Sequence, residues 1–105
     1  MGFALLSKSI YVGNAEKKKI ITDSYVNCDL STSWLEKSDF KKADLGGADL
    51  GNVTLRGANF TNAILDDAIL RYTNLGEANL RGVGLKGNKL KDARFLNSRT
   101  DRIRF

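Results

Sequence analysis

The 105-residue chain has no proline and no histidine, and it has a single cysteine. Without histidine, the Ser-His and Cys-His pairs that activate a nucleophile cannot form. The lone Cys28 excludes an internal disulfide and leaves no thiol cluster for a metal. One unpaired thiol fits a reducing compartment. Long apolar runs are missing too. The longest, Gly2 to Leu6, falls far short of the roughly 20 residues needed to cross a bilayer. It also lacks the basic start and long apolar stretch of a secretory signal. The opening "MGFALLS" comes near a myristoylation signal, but Leu6 stands where Ser or Thr is wanted. These absences predict a cytoplasmic protein with no membrane span.

What is present fits one small domain, with an apolar fraction of 42% near the globular norm. The net charge of +5 is unevenly spread. Residues 1–42 carry seven basic and five acidic side chains, residues 43–80 two and five, and residues 81–105 eight and two. The last quarter supplies the basic character.

The stretch "ADLGGADLGN", residues 43–52, repeats itself at an interval of five. Stepping by five from Leu30 to Phe95 meets only Leu or Phe, fourteen times in succession. Twelve of the fourteen Leu in the chain, Leu5 included, share this register, where chance would place about one in five. Two places before each large residue stands a small or compact one, with Asn88 the exception. Two places after it, Gly, Asn or Asp recurs, residues that tolerate positive φ and favour turns.

Five residues rotate an α-helix by about 500°, which scatters the Leu around the cylinder. In a flat strand an odd interval points them to alternate faces. A short extended piece followed by a corner satisfies both constraints. Corners at a constant interval coil the chain, and stacked coils about 4.8 Å apart gather the Leu into one column.

The run "ADLGG ADLGN VTLRG ANFTN AILDD AILRY TNLGE ANLRG VGLKG NKLKD ARFLN" resembles the pentapeptide-repeat proteins, whose pattern is A(D/N)LXX. The match is close from Ala43 to Asn97 and extends with poorer spelling back to Cys28. The resemblance implies an all-β right-handed quadrilateral β-helix with four repeats per coil. Residues 25–105 are expected to form this solenoid and residues 1–24 a short N-terminal capping segment. There "SIYVGNAEKKKIITDSYV" has two β-rich runs around Gly13–Asn14, a hairpin signal. Its role is either to cover the open end or, through "AEKKK", to contact a partner. At the other end "SRTDRIRF" offers no helical lid, so the end is expected to fray, to form an end-to-end homodimer or to dock a partner.

The repeat frame also sorts the chemistry. Asp66 and Asp67 fall on a corner and read as solvated rather than catalytic. Cys28 falls on an inward step as a small hydrophobe. Asn88 is inward and polar, so it needs a backbone partner. The glycines follow the turn period and form no phosphate loop. Nothing here calls for catalysis, a metal or a cofactor.

Two surfaces stand out. With four repeats per coil, Lys41, Lys42, Arg81, Arg99 and Arg102 share one basic face, which either solubilises the chain or meets an acidic or phosphate-bearing partner. Base-stacking aromatics are not interleaved with these cations, which argues against nucleic acid. Ile64, Ile69 and Tyr72 put bulky apolar groups outward in neighbouring repeats, a candidate protein contact. Trp34 and Leu96 are outward on another face.

The function expected from these features is a non-catalytic protein-binding or scaffold module with an unidentified partner. The resemblance implies an alternative, since some family members mimic duplex DNA towards type II topoisomerases and confer quinolone resistance. That mimicry needs an acidic, long, dimeric rod, and this chain is basic and short. A structural subunit of a larger assembly is the remaining alternative.

Overall fold

The computed structural model describes residues 24–31 and 33–105. The expected N-terminal cap and hairpin lie, save for Ser24, outside the described residues.

The chain winds as a four-sided β-helix. Each repeat contributes one bridging residue, and the partner is always twenty residues on and parallel: Asp49 pairs with Ile69 and Ile69 with Lys89, Asn59 with Asn79 and Asn79 with Arg99. Twenty residues therefore make one coil. Residues 24–42, 43–62, 63–82 and 83–102 form four coils, and 103–105 start a fifth. Face 1 is centred on Tyr25, Leu45, Leu65, Leu85 and Phe105. Face 2 is centred on Leu30, Leu50, Leu70 and Leu90, face 3 on Leu35, Leu55, Leu75 and Phe95, and face 4 on Phe40, Phe60, Leu80 and Thr100.

A corner follows every large residue. The carbonyl of Leu45 accepts the N–H of Ala48 at 3.0 Å, and Leu55 and Ala58 repeat the bond at 3.0 Å. The third residue of the turn has φ near +60 to +70° throughout: Asn52, Gly57, Asn62 and Asp67 in sequence. Its N–H points along the stack, as when Asn62 donates to the Arg81 carbonyl at 2.9 Å. This explains the run of Gly, Asn and Asp there, because these residues enter the left-handed region at least cost.

Backbone groups in a buried stack must be paired, and four of the five N–H groups in a repeat are paired by other backbone groups. The residue two before the large one closes the turn. The next donates to the coil before, as Ile64 does to Ala43 at 2.9 Å. The large residue and the left-handed residue donate to the coil after, as Leu45 does to Ile64 at 2.8 Å and Gly47 to Asp66 at 2.9 Å. The fifth N–H, just after the large residue, has no backbone acceptor. The Asp or Asn just before the large residue supplies one: Asp39, Asp44, Asp49, Asn59, Asn74 and Asn79 each accept it through Oδ1 at 2.9–3.2 Å. The second letter of the repeat is thus a cap for its own turn.

The column of large side chains is dry through the first three coils and opens in the fourth, where Leu90 and Phe95 are half-buried and Phe105 beyond them is exposed. Leu35, Phe40, Leu45, Leu50, Leu55, Phe60, Leu65, Leu70, Leu75 and Leu80 are 0% exposed. Each such burial stabilises the fold by about 1.5–3 kcal/mol before chain entropy is counted. Phe40 and Phe60 stack with ring centres 5.0 Å apart and planes 4° from parallel. The small residues fill the remaining inward steps, with Ala43, Ala48, Ala58, Ala63, Ala68 and Ala78 also fully buried. Thr73 fits among them because its hydroxyl donates to the Leu50 carbonyl at 2.8 Å. Asn88 does the same through Nδ2 to the Leu65 carbonyl, the backbone partner its position demanded. Cys28 is half-buried against the core.

Candidate functional site

Outward side chains come from the residues just before and just after each large residue and from the corner. The fold therefore fixes each one by face and coil. Among the described residues no group of three or more His, Cys, Asp or Glu is placed to hold a metal ion. No helix there is long and apolar enough to cross a membrane.

Ile64 and Ile69 take the step that Asp or Asn holds elsewhere. They sit in the same coil on adjacent faces, Ile64 on face 1 stacked on Asp44, Ile69 on face 2 stacked on Asp49. The corner of Asp66 and Asp67 divides them. Ile64 is exposed and Ile69 half-buried. The N–H groups of Asp66 and Arg71 consequently have no acceptor among the described residues. Tyr72 occupies the next corner with φ +61°, a conformation uncommon for a bulky residue, and is 51% exposed. It borders a shallow recess shared with Asn74, Asp92, Ala93 and Arg94. The three residues thus line a path around two corners and not one flat patch.

Face 3 carries exposed apolar surface at the two outward steps that the spelling marked. Trp34 is 62% and Leu96 76% exposed, in the first and fourth coils. Between them Arg56 pairs with Glu77 at 3.0 Å and with Glu36 at 3.7 Å, an exposed network of small energetic weight.

The cations expected on one basic face lie along face 4 and its corner at two levels. Lys41 and Lys42 stand in the first coil and Arg81, Arg99 and Arg102 in the third and fourth. Neutral Asn59, Thr61 and Asn62 separate them. Arg81 is partly neutralised by Asp101 at 3.1 Å. The cations also group by level: residues 86–105 hold seven Lys or Arg and two Asp.

Asp66 has a use that its corner position hid. Where Gly84 has no side chain to cap its turn, Asp66 reaches from the coil before and accepts the Lys86 N–H at 3.2 Å. A Cβ on Gly84 would lie 2.7 Å from that Oδ1. The signal was in the sequence, as a glycine replacing Asp or Asn eighteen residues after an acidic group. Hydrogen bonds from the Ser31 hydroxyl and N–H hold the Asp29 carboxyl below the ordinary range.

Comparison with known proteins agrees with this geometry. The family model for pentapeptide repeats matches residues 26–62 and 43–82, with eight copies of the repeat. No curated protein matches the sequence. Among solved structures, the chain is similar to HetL, a pentapeptide repeat protein involved in heterocyst differentiation regulation in the cyanobacterium Nostoc sp. strain PCC 7120. The two are 30% identical with a TM-score of 0.67, over 73% of this chain and 38% of HetL. A pentapeptide repeat protein of the Arabidopsis thaliana thylakoid lumen is 27% identical over 78% of this chain and 61% of its own, with a TM-score of 0.43. QnrB1, a plasmid-mediated fluoroquinolone resistance protein, is 18% identical over 89% of this chain and 68% of its own, with a TM-score of 0.42. The chain therefore spans well under two thirds of the length of HetL and just under two thirds of the Arabidopsis protein. With its twenty-residue coil, its left-handed corners and more than half its length matched by the repeat model, the chain belongs to the pentapeptide-repeat family and folds as a right-handed quadrilateral β-helix.

Proposed function

We propose that the chain is a non-catalytic protein-binding module, a rigid stack whose faces present fixed side chains to a protein partner. The observation that carries this reading is the contrast between core and faces. The column is buried through the first three coils, yet Trp34, Ile64, Tyr72 and Leu96 stand exposed on the faces around it. Large apolar and aromatic groups held on a stiff backbone lose little freedom on binding, which favours them as anchors. Ile64, Ile69 and Tyr72 also depart from the residue types that best satisfy their own turns, so the fold alone does not account for them.

Affinity purification with mass spectrometry tests the reading, run with the native chain, with Ile64→Asp/Ile69→Asp and with Arg81→Glu/Arg99→Glu. A partner lost from one variant and kept by the other marks the working face. A native chain that retains no protein above a scrambled-surface control would refute the reading.

A further inference from the structure

The residue just before each large residue changes character in the fourth coil. Through the first three coils it is Asp, Asn, Ser, Thr, Trp or Ile, never a cation. In the fourth coil and the start of the fifth it is Lys89, Arg94, Arg99 and Arg104, after Gly84. These four stack on Ile69, Asn74, Asn79 and Gly84 and so occupy faces 2, 3, 4 and 1 in turn. All four are exposed, and none has an ion-pair partner among the described residues. They form a belt around the stack.

The replacement has a second effect. The N–H groups of Lys91, Leu96 and Asp101 occupy the step that Asp and Asn cap in earlier coils, and here no acceptor meets them among the described residues. Faces 2, 3 and 4 of this coil thus each present an outward N–H beside a cation. In the earlier coils that pocket is filled by the chain's own Oδ1 wherever Asp or Asn precedes the large residue.

We propose that the fourth coil is a docking site for an extended acidic protein segment that wraps around it, its carboxylates taking the place that Asp and Asn hold in the coils before. A carboxylate there accepts the free N–H and neutralises the adjacent Lys or Arg, a charge-assisted arrangement. Three such pockets on three faces at one level require a ligand that turns corners. A DNA duplex stays straight over this distance and meets one face. A single strand could bend, but the exposed apolar groups at this level are Leu96 and one aromatic, Phe105, and stacking successive bases takes several. A second copy of the chain would set one belt against another of the same sign. The proposal rests on the binding-module reading only in taking the partner to be protein.

The test uses the full chain and a labelled polyglutamate peptide long enough to pass three faces, with anisotropy read at physiological salt. A duplex of equal charge runs in parallel. Lys89→Glu, Arg94→Glu and Arg99→Glu should each weaken peptide binding about threefold or more, while Lys41→Glu/Lys42→Glu leaves it unchanged. The triple variant Lys89→Asn/Arg94→Asn/Arg99→Asn restores the internal caps, so it should unfold no earlier than the native chain and lose the peptide. Dependence on one face alone, duplex binding as tight as peptide binding, or peptide binding kept by the triple Asn variant would each overturn the proposal. Partner capture with the Ile64/Ile69 variants reads the broader function separately, so the two can fail independently.

Discussion

Gly82 offers a sharp test of how neighbouring coils interlock. Its φ is +71°, and a Cβ there would sit 2.1 Å from the Asn62 Oδ1 and 3.3 Å from the Asn62 Cγ, one coil earlier. Gly57 has the same φ of +71°, but its Cβ would meet only the flexible Lys37 Cγ, at 3.2 Å. Both Gly→Ala changes carry the left-handed penalty, about 1 kcal/mol. Gly82→Ala must also expel the Asn62 side chain from its rotamer, about 1 kcal/mol more. Gly57→Ala is therefore expected to cost about 1 kcal/mol and Gly82→Ala about 2 kcal/mol. Exchanging the pair isolates the contact: in an Asn62→Gly background, Gly82→Ala should cost only the backbone share. Urea unfolding at 25 °C followed by circular dichroism measures all five chains, the native one included, provided the denaturant slope is constant across them. If Gly82→Ala and Gly57→Ala cost the same, or the coupling between Asn62 and Gly82 falls below about 0.5 kcal/mol, the packing account is wrong.

Three further outcomes follow from the same structure. Phe60→Ala removes a fully buried ring and its stack on Phe40, so it should cost about 3–5 kcal/mol in urea unfolding and leave little folded protein at 37 °C. Tyr72→Asn replaces a bulky residue at φ +61° by one suited to it, and should raise stability by about 0.5–1 kcal/mol while weakening any partner that uses this corner. Asp29 has its folded-state carboxyl held below its unfolded value, so its ionised form contributes stability at neutral pH that fades as pH falls through the folded value. The difference in urea midpoint between the native chain and Asp29→Asn should be constant above about pH 5 and shift only below about pH 4.

The fold was legible because a period of five fits neither helix nor strand, and because the small, large and turn positions agreed along the chain. Burial of Leu50 and Leu70 in one column and the corners at Asn52, Asn62 and Asp67 follow from that spelling. Frame extends past spelling as well: Gly84 bridges Arg104, although "SRTDRIRF" no longer reads as a repeat. The interlocking coil contacts hold the frame there through backbone bonds, which do not depend on side-chain identity.

The surface was less legible. Ile64 and Ile69 are five apart, and five residues turn a corner, so residues adjacent in the repeat text face different directions. The role of Asp and Asn as turn acceptors needs the orientation of an N–H group, which composition does not encode. The cations of the last quarter were visible as an excess, yet arranging them as a belt required the twenty-residue register applied to the step before each large residue.

That register also sets a rule for changing the length of the protein. Inserting one five-residue unit would rotate everything after it by a quarter turn, presenting each later outward residue to a different side. Inserting four units would lengthen the prism by one storey and leave every side facing as before. Natural or designed variants that keep a binding side while growing should therefore differ in steps of twenty residues.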